Sequence, residues 1–313
     1  MLTVERVSKN YRLGALGRRE LTAVRDVSFQ LAPGEVLSLI GESGSGKTTV
    51  GRMILRLLDV TSGRITVDGV DVAGLRGAAL RDYYRTVQGV FQDPFSTYNP
   101  IFKADRVLAL VKEQFLDDVP SAAWKEKVER ALAAVRLDPG QVLGKYPHQL
   151  SGGQLQRMLI ARALLLDVKL LVADEIISML DASTRIDVLN LLAELKRPTG
   201  GRPGIGVLFI THDLSLGNYL SERTMIMRRG EVVEMGATDK VLGNPQHPYS
   251  RKLVAAVPRL HVRWSELDPA LAAGVPAGDC PHHNGAATED GLVEVEPGHL
   301  VACFHDRAAG CPM

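Results

Sequence analysis

Eight residues, Gly41, Glu42, Ser43, Gly44, Ser45, Gly46, Lys47 and Thr48, have the types and spacing to hold a phosphate. They fit the pattern G-x-x-x-x-G-K-[ST]. Glycines at 41, 44 and 46 let the backbone curl so that successive N–H groups face one oxyanion. A helix opening after the loop points its positive end at the same anion. Lys47 would then reach the β- and γ-phosphates, and the Thr48 hydroxyl would bind Mg²⁺. An ordinary glycine- and serine-rich turn has the same composition, so the flanks decide. Val36–Ile40 is a short apolar run suited to a buried strand. Residues 49–58 carry Val50, Met53, Ile54, Leu57 and Leu58 at helical spacing.

Other candidates follow along the chain. Asp174 and Glu175 end an apolar run and suit a phosphate loop's partners. The first would hold the Mg²⁺ shell and the second would accept a proton from the attacking water. Two acids there would also suit a helix N-terminus. Ser151 is a good N-cap for a helix over 152–166, and Gly152 and Gly153 open it. That start is either a second anion site or a plain capped helix. Gln92 and His212 end expected strands over 87–92 and 206–211, where α/β sheets place ligand-contacting residues. Tyr11 could stack on adenine or be a half-buried strand tyrosine.

The elements that must position these residues read as α/β. Residues 2–7 and 24–31 have strand patterns, with a loop between them over 14–20. A helix is expected over 75–85. Residues 95–165 lack strand alternation and form a helical insertion, with amphipathic stretches at 104–115 and 122–135. Asp181 or Ser183 starts a helix over 182–196. Strands are expected over 224–227 and 231–234, and a compact helix over 247–257.

Composition removes several classes. The chain has 313 residues, 45% of them hydrophobic, enough for a sizeable core. Basic and acidic residues number 37 and 36, so no general positive field suggests nucleic acid. No apolar run approaches the ~18 residues of a membrane helix. The N-terminus lacks the pattern of a signal peptide, so a cytosolic location is expected. Three cysteines, all after residue 279, make no disulfide framework.

In this order the phosphate loop, Gln92, Leu150-Ser-Gly-Gly-Gln154, Asp174-Glu175, Ser178-Met-Leu-Asp181 and His212 resemble the ATP-binding subunits of ABC transporters. The resemblance spans residues 1 to about 257. The runs 92–100, 146–153 and 244–249 narrow it to the oligopeptide/dipeptide importers, a group that also takes up nickel and oligosaccharides. The fold implied is a P-loop ABC cassette at 1–257, with an N-terminal antiparallel β subdomain, a RecA-like mixed core and a helical insertion near 95–165. A C-terminal extension follows at 258–313.

The resemblance also implies roles. ATP would be bound by Tyr11, by residues 41–48 and by Thr49. Ser151, Gly152, Gly153 and Gln154 would contact ATP held by a partner subunit. Thr48, Gln92 and Asp174 would hold Mg²⁺. Glu175 would be the general base, Gln92 would touch the attacking water, and His212 would contact the γ-phosphate. Asp181 would lie on the dimer face. The implied partners are a second, different ATP-binding subunit, two transmembrane permease subunits and, indirectly, an extracytoplasmic solute-binding protein. The implied place is the cytoplasmic face of the membrane. A soluble ABC ATPase of DNA repair or translation is the rival, but one cassette without sustained heptads argues against it.

Two departures stand out. The family usually has proline and then a small hydroxyl residue after the catalytic glutamate, and this chain has Ile176 and Ile177. The extension in this group often carries four cysteines for an iron–sulfur cluster. Here there are Cys280, Cys303 and Cys311 with several histidines, and a loose, reduced tail is expected over an iron–sulfur or zinc site.

Overall fold

The computed structural model describes residues 1–13, 19–198, 201, 203–257 and 291–304. It opens with two long antiparallel strands, β1 (Leu2–Leu13) and β2 (Arg19–Leu31). Arg19 and Glu20, expected in a loop, belong to β2. β3 (Val36–Ile40) is buried at every residue, which explains its lack of alternation. α1 (Lys47–Ile54) starts inside the phosphate loop and ends four residues before the expected limit. Arg56 turns to φ 57°, and Leu57 is 55% exposed, so the apolar spacing outlasts the helix. β4 (Ser62–Val67) and β5 (Val70–Asp71) form a hairpin whose turn residues Asp68 and Gly69 both have positive φ.

Then come α2 (Gly77–Thr86), β6 (Val87–Val90), α3 (Pro94–Thr97), α4 (Arg106–Phe115), α5 (Ser121–Ala134), α6 (Pro139–Val142) and α7 (Gly152–Leu164). β7 (Leu170–Asp174), α8 (Ala182–Leu195), β8 (Gly206–Thr211) and α9 (Leu214–Leu220) follow. β9 (Arg223–Arg228), β10 (Glu231–Ala237), α10 (Thr238–Gly243) and α11 (Pro248–Ala255) precede the last described pair, β11 (Leu292–Glu296) and β12 (His299–Ala302).

These elements form two compact units. The first takes the described residues among 1–31, 36–73 and from 208 on. It holds an antiparallel sheet in the order β2-β1-β4-β5 and a mixed run of strands in the order β11-β12-β10-β9-β3-β8. β3 and β9 are parallel, and β9, β10, β12 and β11 are antiparallel in turn. The second unit takes residues 32–35 and 74–207. There β6 and β7 are parallel, and α7 packs against β6, α3, α4, α5 and α8. Leu155, Met158, Leu159 and Ile160 of α7 are buried in that packing.

The expectation of a loose tail fails at residues 291–304. β12 pairs with β10, Glu234 opposite Val301, and β11 closes the hairpin. Leu292, Val293 and Val301 are buried. Each such side chain contributes roughly 1.5–3 kcal/mol over exposure, and β12 covers the strand edge that β10 would otherwise present. Cys280 and Cys311 lie outside the described residues.

Candidate functional site

The phosphate loop joins the end of β3 to α1. Gly46 is the N-cap of α1 with φ 104°, and a Cβ there would lie 2.5 Å from the Ala23 carbonyl oxygen. Gly41 is glycine for another reason: its φ is ordinary, but a Cβ would collide with the Met227 carbonyl oxygen in β9. No side chain caps α1. Lys47 is only 4% exposed. Its Nζ donates to the carbonyl oxygens of Gly41 at 2.7 Å and Glu42 at 2.8 Å. The ammonium thus sits at the loop's own mouth, neutralised by dipoles and able to exchange them for phosphate oxygens. The Ser45 carbonyl accepts from the Gly230 N–H at 3.0 Å, which ties the loop to the β9–β10 turn.

Two more expected residues belong to this unit. Tyr11 stands half-buried on β1 opposite Leu21, with the Lys9 ammonium 5.4 Å from its ring centroid. His212 is exposed just beyond β8. Its neighbour Asp213 caps α9 and donates its own N–H to Thr211 Oγ1, so the strand end is rigidly framed.

The second unit carries the carboxylates and the signature. Asp174 ends β7 and is 6% exposed. A carboxylate this buried needs a cation or strong donors to stay charged, and so fits a Mg²⁺ shell. Glu175 is half-buried with φ 51°, a left-handed conformation costing on the order of 1 kcal/mol for a side chain of this kind. Its carbonyl oxygen is held by the Ser178 N–H at 3.1 Å and the Ser178 hydroxyl at 2.9 Å. Ile176 and Ile177 are both buried beneath this turn. The departure from the family pattern therefore lands as two apolar anchors under the glutamate.

Gln92 is exposed, two residues past β6. Its segment is bracketed by α7. Gln156 is wholly buried and donates through Nε2 to the Phe91 carbonyl at 3.2 Å. The Tyr98 hydroxyl donates to the Leu155 carbonyl at 3.0 Å, and burial raises its pKa. Sequence reasoning missed Gln156 and Tyr98; the available signal was a glutamine among the apolar residues of α7.

At the signature, Ser151 caps α7 as expected. Its Oγ accepts from the Gln154 N–H at 3.2 Å, while Gln154 Oε1 accepts from the Ser151 N–H at 2.9 Å. That is a reciprocal capping box. A Cβ on Gly153 would run into the Thr184 methyl of α8. Asp181 caps α8, accepting from Ser183 Oγ at 2.6 Å and from the Thr184 N–H at 3.0 Å, and these bonds hold its carboxyl well below the usual range. Among the described residues no group of three or more His, Cys, Asp or Glu could hold a metal, and no helix is long and apolar enough to cross a membrane.

Comparison with known proteins agrees with this layout. The ABC transporter family model matches residues 24–178, and the model of the oligopeptide/dipeptide transporter C-terminal region matches residues 233–283. A probable peptide ABC transporter ATP-binding protein of Sinorhizobium fredii is 37% identical over 98% of this chain and 90% of its own length. A putative peptide import ATP-binding protein of Brucella ovis is 37% identical over 98% of each chain. The glutathione import ATP-binding protein GsiA of Pectobacterium atrosepticum is 43% identical over 96% of this chain and 47% of its own. Among solved structures, the dimeric post-hydrolysis form of the ATP-binding cassette MJ0796, bound to ADP and Pi, has a TM-score of 0.66 and 27% identity, covering 76% of this chain and 99% of that one. Near-complete coverage by importer relatives also removes the rival role in DNA repair or translation. The chain belongs to the ATP-binding subunits of ABC importers, in the oligopeptide/dipeptide group.

Proposed function

We propose that this subunit powers peptide uptake, with Glu175 as the general base of its ATP hydrolysis. The observation that carries the assignment is the turn at the end of β7. A buried Asp174 precedes a glutamate whose backbone is pinned at φ 51° by Ser178. Strain held in this way beside a buried carboxylate supports a positioning role. Glu175 takes a proton from water as its oxygen attacks the γ-phosphorus, and ADP leaves. Lys47 offsets charge on the β- and γ-phosphates, and His212 and Gln92 orient the γ-phosphate and the water. Tyr11 stacks on adenine, and residues 41–49 hold the triphosphate. Thr48, Gln92 and Asp174 would hold Mg²⁺, which would supply charge neutralisation at the phosphates.

Relatives named for peptide and glutathione import support a peptide over an oligosaccharide or nickel. We take the working unit to be this chain with a second, different ATP-binding subunit. Ser151, Gly152, Gly153 and Gln154 meet ATP on that partner, and Asp181 lies at their shared face. The pair works beneath two permease subunits fed by a solute-binding protein, on the cytoplasmic side of the membrane. A 580 Å³ cavity in the helical insertion, lined in part by exposed Ile101, Phe102 and Tyr146, supports docking of a permease segment there. A metal in the tail is not part of this reading, and elemental analysis of anaerobically purified protein tests it.

The test of the base is Glu175→Gln. It should keep ATP binding and lower turnover by about 10²-fold or more. Near-normal turnover would reject the assignment.

A further inference from the structure

Glu234 on β10 is wholly buried. Its Oε1 accepts from the Gln246 N–H at 2.7 Å and its Oε2 from the His247 N–H at 3.0 Å. His299, also wholly buried, brings Nε2 to 2.7 Å from Glu234 Oε1 and Nδ1 to 3.0 Å from Glu296 Oε1. A buried carboxylate is costly unless its lone pairs are filled, and this one is filled by two backbone donors and an imidazole. Those bonds fix the residues just before α11. His247 Nδ1 then accepts from the Tyr249 N–H at 3.0 Å and caps that helix. Tyr249 is buried with Ile226, Val233 and Val241, and the Arg228 guanidinium lies 5.0 Å from its ring centroid. Its hydroxyl oxygen accepts from the Glu42 N–H, at 3.3 Å, inside the phosphate loop.

The peptide joining Gly41 to Glu42 is a pivot. Its N–H, that of Glu42, points to Tyr249, while its carbonyl oxygen, that of Gly41, accepts from Lys47 Nζ at 2.7 Å. Turning that peptide would move the atom that holds Lys47. Three glycines make the loop pliant, so an anchor from outside it has value as preorganisation. We propose that Tyr249 is a positioning residue for nucleotide binding, and that the C-terminal hairpin sets its place through Glu234 and His299. The idea rests on the phosphate loop binding ATP.

Tyr249→Phe keeps the ring and removes the hydroxyl. In the full chain it should weaken ATP binding about 3- to 10-fold, the worth of one hydrogen bond, with the cooperative unfolding transition retained. In the reconstituted transporter KM for ATP should rise by the same factor, with kcat within about twofold. His299→Leu should weaken ATP binding in the same direction, and the double variant should fall short of the product of the two. His299→Gln, which can still donate to Glu234, should bind ATP nearly as the unsubstituted chain does. Unchanged binding in Tyr249→Phe overturns the role of Tyr249. So does a fall in kcat with KM unchanged. Full additivity with His299→Leu overturns the link to the hairpin. If the unsubstituted chain itself fails to bind ATP in the same assay, the functional reading fails instead, so the two failures are distinct.

Discussion

Two helices of this chain open on glycine and serine, and they open differently. At α1 the cap is Gly46, which has no side chain to offer, and the helix's first residue, Lys47, is buried. At α7 the cap is Ser151, and its hydroxyl and the Gln154 amide each satisfy the other's backbone. The first helix start leaves an incoming phosphate no side-chain cap to displace. The second has its own cap in place and can meet a phosphate through hydroxyl and glycine faces only after other donors arrive. A site that binds alone and a site that completes another subunit's would differ in this way.

Lys47→Ala is the largest way to break that comparison. Charge-assisted bonds to phosphate are worth about 1.5–3 kcal/mol each, so losing two costs roughly 3–6 kcal/mol of ATP affinity. Calorimetric titration of ATP into the full chain measures it. Unchanged affinity would mean that α1 is not the anion site.

The two regions are also held differently. The α7 cap is closed by residues three apart, whereas the phosphate loop leans on Tyr249, 207 positions away. His299→Leu should therefore cost stability without touching the α7 cap. Depriving a buried carboxylate of a hydrogen-bond donor costs about 3 kcal/mol, and Glu234 is left with two backbone donors. Denaturant unfolding reads it. A loss under about 1 kcal/mol would show that the hairpin does not brace this part of the fold.

This difference in range explains what the sequence disclosed. The phosphate loop, the Ser151 cap and the strand ending in Asp174 each depend on neighbours a few residues away and were legible, while the start of α8 was legible only as Asp181 or Ser183, of which the structure takes Asp181. The Ser151–Gln154 capping box is equally local, a Ser-x-x-Gln pattern already present in the sequence. Leu57 misled the limit of α1, since apolar spacing says nothing about where a helix stops. Gln156, Tyr98 and the Glu234–His299 pair were invisible for a stronger reason. A buried polar side chain is recognisable only by its partner, and these partners lie 65, 57 and 65 residues away.

Acidity sharpens the contrast by a smaller amount. The α7 box contains no titratable group. Near Tyr249, burial chiefly, with the Arg228 charge, pushes His247 down to about 4, against the opposing pull of Glu234. Its unfolded value is near 6.5. Between these values the unfolded chain binds more protons, so stability falls as pH drops from about 6.5 toward 4, by roughly 2–3 kcal/mol in all. Burial pushes His299 down too, but its bonds to Glu234 and Glu296 more than offset that and raise it. Its contribution is complete below about 6.5 and is lost as pH rises through the higher folded value. Unfolding curves from pH 4 to 8 should thus fall on both sides. His247→Asn can keep the cap without titrating and should flatten the acid limb; a persistent limb would assign the loss elsewhere.

The smallest effect tests what Ser151 is for. As an N-cap its hydroxyl is worth about 1 kcal/mol, so Ser151→Ala should lower stability by that much. That result alone fits a plain capped helix. Ser151→Asp separates the readings, because a carboxylate caps as well as a hydroxyl and also favours the positive end of α7. Stability should therefore match or exceed that of the unsubstituted chain. If α7 faces the triphosphate on a partner subunit, the added negative charge repels it. ATP turnover of the assembled transporter should then drop by about tenfold or more, while ATP binding by the isolated chain stays the same. If turnover survives Ser151→Asp, the glycine-rich start of α7 is a cap and nothing further, and α1 is left as the one phosphate-binding helix start of the pair.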